Sequence, residues 1–153
     1  MSELSNIIKW ENVHNNSSDF NNNEPFKFGY VEEFFDREFY EKLYKSYPKI
    51  DDSWQINNSM FKFQYGKNIF VPQDTAKSEL VHNREIEPTL SDAWKKIGKY
   101  VQTDEFLDNF CRYTKIPNLK CKHFQFLGYK QGGFQSGHIH NIGPSTLQCM
   151  IYF

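Results

Sequence analysis

The sequence lacks long apolar runs and blocks of like charge. Its 153 residues include 18 Lys and Arg against 19 Asp and Glu, which gives a formal net charge of −1. No run of about 18 apolar residues occurs, so no membrane span is predicted. Without a basic stripe, nucleic acid is an unfavoured partner. The first residues show neither the basic patch nor the apolar stretch of a signal peptide, and we expect a cytoplasmic location.

Cysteine is scarce and aromatic residues are abundant. Cys111, Cys121 and Cys149 are odd in number and widely spaced, which excludes a disulfide framework and predicts reduced core thiols. Fifteen Phe, nine Tyr and three Trp predict an aromatic core. The length is sufficient for one domain.

The N-terminal third changes character near residue 25. Residues 11–25 are rich in Asn and Ser and predict a loop, so residues 1–25 form a polar N-terminal segment. An extended piece over residues 7–10 is expected at a sheet edge. Residues 26–30 alternate Phe, Lys, Phe, Gly and Tyr, which predicts a strand.

Three amphipathic helices follow from capping signals and periodicity. Asp36 begins the first, which Pro48 stops; the second starts near Pro88 or Ser91 and runs to Val101. Thr103 begins the third, which ends at 116–117. The residues expected to face inward are Phe35, Phe39, Leu43 and Tyr47 for the first helix, Leu90, Trp94, Ile97 and Val101 for the second, and Phe106, Phe110 and Tyr113 for the third.

Strands are expected elsewhere. Residues 60–71 predict short strands interrupted at Gly66, and the chain reads as β from Leu119 onward. The alternation changes parity near His123, which indicates a bulge or a strand buried on both faces there. For His123 itself, packing in the core is favoured over a role in a site. His82 lies in a polar stretch and is expected to be exposed. The order predicts an α+β fold with helices on one face of a largely antiparallel sheet.

The segment Gly137-His138-Ile139-His140-Asn141 is the strongest candidate site. On a strand, His138 and His140 point to the same face about 7 Å apart, so both ring nitrogens can converge on one metal ion. Neutral imidazole is a common ligand of iron, zinc and copper. The plainer alternative is two polar residues on a solvated strand face.

From residue 26 to residue 153 the chain resembles the iron(II)/2-oxoglutarate-dependent oxygenases of the prolyl-hydroxylase-like group. The residues that carry the resemblance are Tyr129, Gly132 or Gly133, His138-Ile139-His140 and Met150-Ile151-Tyr152-Phe153, with more general similarity over 28–47 and 94–116.

The resemblance implies a double-stranded β-helix, or jelly roll, with N-terminal flanking helices to about residue 117 and barrel strands over 118–153. It also implies Fe(II) as cofactor, 2-oxoglutarate as co-substrate and hydroxylase-type dioxygenase activity. His138 is then the first metal ligand, and Tyr129 and Tyr152 contact 2-oxoglutarate. His140 stands where the family has Asp, either as a second ligand or as a hydrogen-bond donor behind the ligands.

The segment Leu147–Phe153 has the composition of a buried central strand. Since the sequence stops on it, we expect a truncated fragment with an incomplete barrel. Such a fragment is expected to lack 2-oxoglutarate turnover and to self-associate through that strand. The alternatives are a non-enzymatic or degenerate jelly-roll binding module and a cupin-type metal enzyme without 2-oxoglutarate. The substrate, a small molecule or a protein side chain, is left open.

Overall fold

A computed structural model describes residues 5–71, 83–137 and 147–153. After a 3-10 turn at Ser5–Ile7, the described elements are α1 (Trp10–Asn15), α2 (Ser17–Asn22), α3 (Arg37–Lys45), β1 (Gln55–Ser59), β2 (Lys62–Asn68), α4 (Asp92–Tyr100), α5 (Asp104–Thr114), β3 (Gln125–Gly128) and β4 (Phe134–Gln135). Helices and an antiparallel sheet together confirm the α+β class. None of the described helices is long and apolar enough to cross a membrane.

The three predicted amphipathic helices are confirmed as α3, α4 and α5. The side chains of the predicted N-caps Asp36 and Thr103 each accept a hydrogen bond from the main-chain N–H three residues later. Ser91, one of the two starts predicted for the second helix, caps α4 in the same way. Such caps satisfy amide groups that have no partner inside the helix. Local capping chemistry therefore fixes where these helices begin.

The loop predicted for residues 11–25 is wrong, because α1 and α2 occupy residues 10–15 and 17–22. Asparagine amides hydrogen-bond the main chain here: Asn16 Nδ2 donates to Asn12 O at 2.9 Å, and Asn21 Nδ2 donates to Tyr113 O at 2.9 Å. Val13 and Phe20 are the two buried anchors. Two apolar contacts and these amide bonds outweigh the weak helix propensity of Asn.

The strand predicted for residues 26–30 is also wrong. Phe26 and Tyr30 are 68% and 75% exposed. The side chain of Asn23 donates to Phe28 O at 2.8 Å, where a strand would receive a main-chain bond. Upstream, Ile8 forms a single antiparallel bridge with Phe35, while Trp10 begins α1, so the extended piece predicted for residues 7–10 is much shorter.

The described sheet has four strands, with β2 at its centre. Strand β1 pairs antiparallel with β2 from Gln55↔Gly66 to Ser59↔Lys62. On its other edge β2 pairs antiparallel with both β3 and β4. Gly66 lies inside β2 and has partners on both sides, so the predicted break at Gly66 is wrong. Pairing on both edges holds a residue of low strand propensity in place.

Strands β3 and β4 form one interrupted edge strand. From Tyr65↔Gly128 to Phe63↔Phe134, β2 moves by two residues and its partner by six. The four extra residues form a turn that the 2.8 Å bond from Gly133 N to Lys130 O closes. The bulge predicted near His123 is therefore wrong, because residues 119–124 precede β3 and are not in a strand. The interruption lies about eight residues further along the chain.

The sheet is open, and the jelly roll is not confirmed. On one face of the described sheet the helical layer packs against Phe126, whose ring lies 4.5 Å from that of Trp94 and 5.2 Å from that of Tyr47. Behind this layer Tyr100 is fully buried and accepts a hydrogen bond from Trp10 Nε1 at 3.0 Å. The aromatic core predicted from composition thus joins α1, α4 and the sheet.

The buried strand predicted at residues 147–153 is wrong. These residues have no regular structure, and Met150 and Tyr152 are 60% and 76% exposed. Phe153 packs against the helical layer instead, 5.5 Å from the rings of both Tyr40 and Trp94. All three thiols are free; Cys111 and Cys121 are half-buried, and Cys149 is exposed as a residue although burial of its thiol raises the pKa of that group to about 11.

Candidate functional site

The predicted metal ligands His138 and His140 lie outside the described residues. The chain can be followed to Gly137, two residues after β4 ends at Gln135. Ser136 N still donates to Phe61 O at 2.8 Å, so main-chain pairing with the β1–β2 hairpin continues to within two residues of His138. The sheet edge therefore leads directly into the motif.

The face of the sheet away from the helices is rich in side-chain amides. Side chains alternate along a strand, so residues next to Phe126 point away from the helices, and cross-strand partners share their side. We call this surface the amide face. Its amides are Gln55, Asn57, Gln64, Asn68, Gln125 and Gln135.

Tyr129, the predicted 2-oxoglutarate contact, belongs to this face. Its hydroxyl lies 3.1 Å from Gln64 Oε1 and 3.0 Å from Gln135 Oε1. A phenol has one proton, so the hydroxyl donates to one amide and can accept from the other if that amide is rotated. Gln64 is 8% exposed, while the tyrosine itself is 47% exposed. The two amides fix the direction of a hydroxyl at the rim of the open face.

Tyr152, the second predicted 2-oxoglutarate contact, is placed differently. Its hydroxyl is 3.2 Å from Met150 Sδ, and its side chain is largely in solvent. Tyr129 and Tyr152 do not contact each other, so the structure does not bring the two predicted tyrosines together.

Gln64 and Gln135 were not predicted from the sequence. They lie 71 residues apart, and only the register of β2 with β4 brings them to one hydroxyl. The alternation of Gln64 with Phe63 and Tyr65 was the one local signal, since it places a polar residue opposite two aromatic ones.

A cleft with a volume of about 590 Å³ lies between the end of α3 and the start of α4. Its polar groups mostly pair with one another: Ser91 Oγ is 2.8 Å from Ser46 Oγ, and Lys67 Nζ is 2.8 Å from Ser53 Oγ. Hydrogen bonds from Ser53 hold the pKa of Asp51 below its usual range. These polar groups of the cleft are therefore already hydrogen-bonded to one another.

Two other histidines were considered from the sequence. His123 is exposed, which corrects the prediction that it packs in the core. Partial desolvation, and then the charges of Lys122 and Arg84, lower its pKa. His82 lies outside the described residues. Within residues 5–71, 83–137 and 147–153, no three His, Cys, Asp or Glu side chains are grouped as a metal site.

Comparison with protein-family models, with curated proteins and with solved structures gives no match for this chain.

Proposed function

We propose that this chain forms part of an iron(II)- and 2-oxoglutarate-dependent dioxygenase in which His138 and His140 ligate the metal. One observation carries the proposal: two amides orient the Tyr129 hydroxyl on the sheet face opposite the helices, and strand β4 of the same edge ends at Gln135, three residues before His138 in the sequence. Because a jelly roll packs a second sheet on such a face, this is the side on which a cofactor is expected.

The donor chemistry supports iron. Two imidazoles supply two neutral nitrogen ligands, and His140 in place of a carboxylate leaves the site with one negative charge less. Bound iron with 2-oxoglutarate would supply the oxidising chemistry. The role proposed for Tyr129 is to donate a hydrogen bond to a carboxylate of the co-substrate, which requires its proton to turn away from Gln64 and Gln135.

Anaerobic titration with Fe(II), followed by calorimetry, tests the metal assignment. We expect about one iron per chain and a loss of affinity of tenfold or more in His138→Ala and His140→Ala. His123→Ala is the matched control, since this exposed histidine precedes β3 and lies outside the motif. Iron bound equally well by the two motif variants would overturn the assignment.

Addition of 2-oxoglutarate to the iron-loaded chain tests the cofactor role. Tyr129→Phe is expected to weaken 2-oxoglutarate binding several-fold and to leave iron affinity unchanged, because it removes only the hydroxyl. Iron binding without any 2-oxoglutarate response would favour the cupin-type alternative. The absence of both would favour a non-enzymatic binding module, for which the amide face is the candidate surface.

A further inference from the structure

The two edges of the described sheet differ in how well they resist pairing with a further strand. The edge formed by β3 and β4 is interrupted by the four-residue turn, and the carbonyl of Leu127 accepts a hydrogen bond from the Tyr47 hydroxyl at 3.1 Å. An interruption of this kind bends an edge out of a regular ladder and hinders the addition of another strand. The edge formed by β3 and β4 is therefore protected.

The opposite edge, formed by β1, has no such protection. Its five residues, Gln55–Ser59, are exposed and uncharged, and they include neither proline nor glycine. Within the part of the chain that the structure describes, β1 pairs with β2 alone. The pair Ser59↔Lys62 closes a two-residue turn and is hydrogen-bonded, so bonds to β2 alternate from there along β1. The main-chain N–H and C=O groups of Ile56 and Asn58 therefore point outward, away from β2.

This outward row of main-chain groups is complementary to a second copy of itself. In an antiparallel pair of β1 strands centred on Asn57, Ile56 of each copy lies opposite the partner's Asn58, and about four main-chain hydrogen bonds form. The side chains of the two Asn57 residues meet at the two-fold axis, where each amide can donate to the other. No like charges oppose each other along the paired strands, because β1 carries none.

Charged groups beyond the two ends of β1 suit the same arrangement. Lys62 lies beside the last residue of β1, whereas the exposed Asp52 precedes the first, and neither forms an ion pair within the described residues. Asp51 and Lys67 both hydrogen-bond Ser53 and so balance each other. Antiparallel pairing puts the last residue of one β1 next to the first residue of the other. Lys62 then comes close to the partner's Asp52 at both ends of the interface.

We propose that β1 is a dimer interface, through which two copies of this chain join their sheets around Asn57. Exposed apolar side chains at this edge supply surface to bury, since Ile56, Met60 and Phe61 are 62%, 82% and 66% exposed. Because the edge formed by β3 and β4 is protected, the assembly closes at two copies. Residues 147–153, the expected site of self-association, have no regular structure and offer no strand edge. The interface needs neither iron nor 2-oxoglutarate, so it is independent of the proposed function.

Sedimentation velocity of the full chain over a concentration series measures the association. A five-residue edge buries less area than a standard interface, so we expect a monomer–dimer equilibrium with a Kd on the order of 10 to 100 µM. Ile56→Lys removes apolar surface and brings two cations together, and it is expected to raise the Kd about tenfold. Leu127→Lys is the matched control, because it changes an exposed apolar residue on the other edge. A chain that stays monomeric at millimolar concentration, or equal effects of the two variants, would overturn the proposal.

A charge reversal tests the antiparallel arrangement. Asp52→Lys is expected to raise the Kd several-fold, and the double variant Asp52→Lys with Lys62→Asp to restore it, because the reversed pair attracts again. Asn58→Pro removes an outward N–H that does not bond to β2, so the monomer should keep its fold, as circular dichroism can verify, but lose the dimer. A double variant no better than the single one, dimers of Asn58→Pro, or assembly beyond two copies would contradict the proposed interface.

Discussion

The two faces of the sheet differ in composition and in what covers them. On the helical side Phe126 packs with Trp94 and Tyr47 in an aromatic layer, whereas on the other side most of the described strand positions carry side-chain amides. Burial of aromatic surface stabilises the fold, whereas exposed amides add little stability and remain available to a ligand. We therefore expect substitutions on the helical side to change stability and those on the amide face to change binding.

The largest expected effect is that of Trp94→Ala. Trp94 is 2% exposed, and its ring contacts those of Phe126, Tyr47 and Phe153. Its truncation is expected to reduce the free energy of unfolding by about 3–5 kcal/mol, measured by urea denaturation. A change below about 1 kcal/mol would contradict the assignment of stability to the helical side.

Phe153→Ala tests whether the last residue belongs to the same layer. The ring stacks on Tyr40 and lies beside Trp94, but 37% of Phe153 is exposed, so we expect a loss of about 1–2 kcal/mol. Tyr152→Ala is the matched control and is expected to change little, because Tyr152 is 76% exposed. If both variants lose the same stability in thermal unfolding, Phe153 does not belong to the aromatic layer.

Tyr129→Phe tests how much a contact on the amide face contributes to the free energy of unfolding. It deprives the buried amide of Gln64 of a partner and is expected to cost about 1 kcal/mol, much less than Trp94→Ala. Chemical denaturation provides the value. A loss as large as that of Trp94→Ala would mean that the amide face, too, holds the fold together.

The smallest expected effect is the pH dependence that His123 gives to the free energy of unfolding. The pKa of His123 is lowered in the folded chain, so on acidification the unfolded chain takes up this proton first. The contribution of His123 to stability is therefore fully present above pH about 6.5 and is lost as the pH falls from there through the lower pKa of the folded chain. NMR titration of the His123 ring should give a midpoint below 6.5. A midpoint above 6.5 would mean that the pH dependence of this contribution has the opposite sign.

How much of the fold can be predicted from sequence depends on the range of the interactions. The starts of α3, α4 and α5 are encoded by a cap and an apolar stripe within a dozen residues, and the sequence predicts those of α3 and α5 and narrows that of α4 to Pro88 or Ser91. The helices over residues 10–22 were missed because Asn21 bonds to Tyr113 O, 92 residues away. The offset between β3 and β4 likewise depends on their register with β2.

Prediction of the candidate site is limited in the same way, by interactions between residues far apart in the sequence. The His138–His140 spacing is a local pattern and Tyr129 follows from the family resemblance. The contacts of Tyr129 with Gln64 and Gln135, however, come from strand pairing across 65 and 6 residues. From the sequence, Gly66 predicts a break in a strand, since a single glycine carries no information about its partners. Its pairing with Gln55 and Leu127 on both edges depends on the register with β1 and β3.

The most direct test of the proposed function is the visible absorption of the anaerobic, Fe(II)-loaded chain before and after addition of 2-oxoglutarate. Direct coordination of 2-oxoglutarate to the iron predicts a new charge-transfer band that is lost in His138→Ala and retained in His123→Ala. An unchanged spectrum of the iron-loaded chain in the presence of saturating 2-oxoglutarate would contradict the assignment.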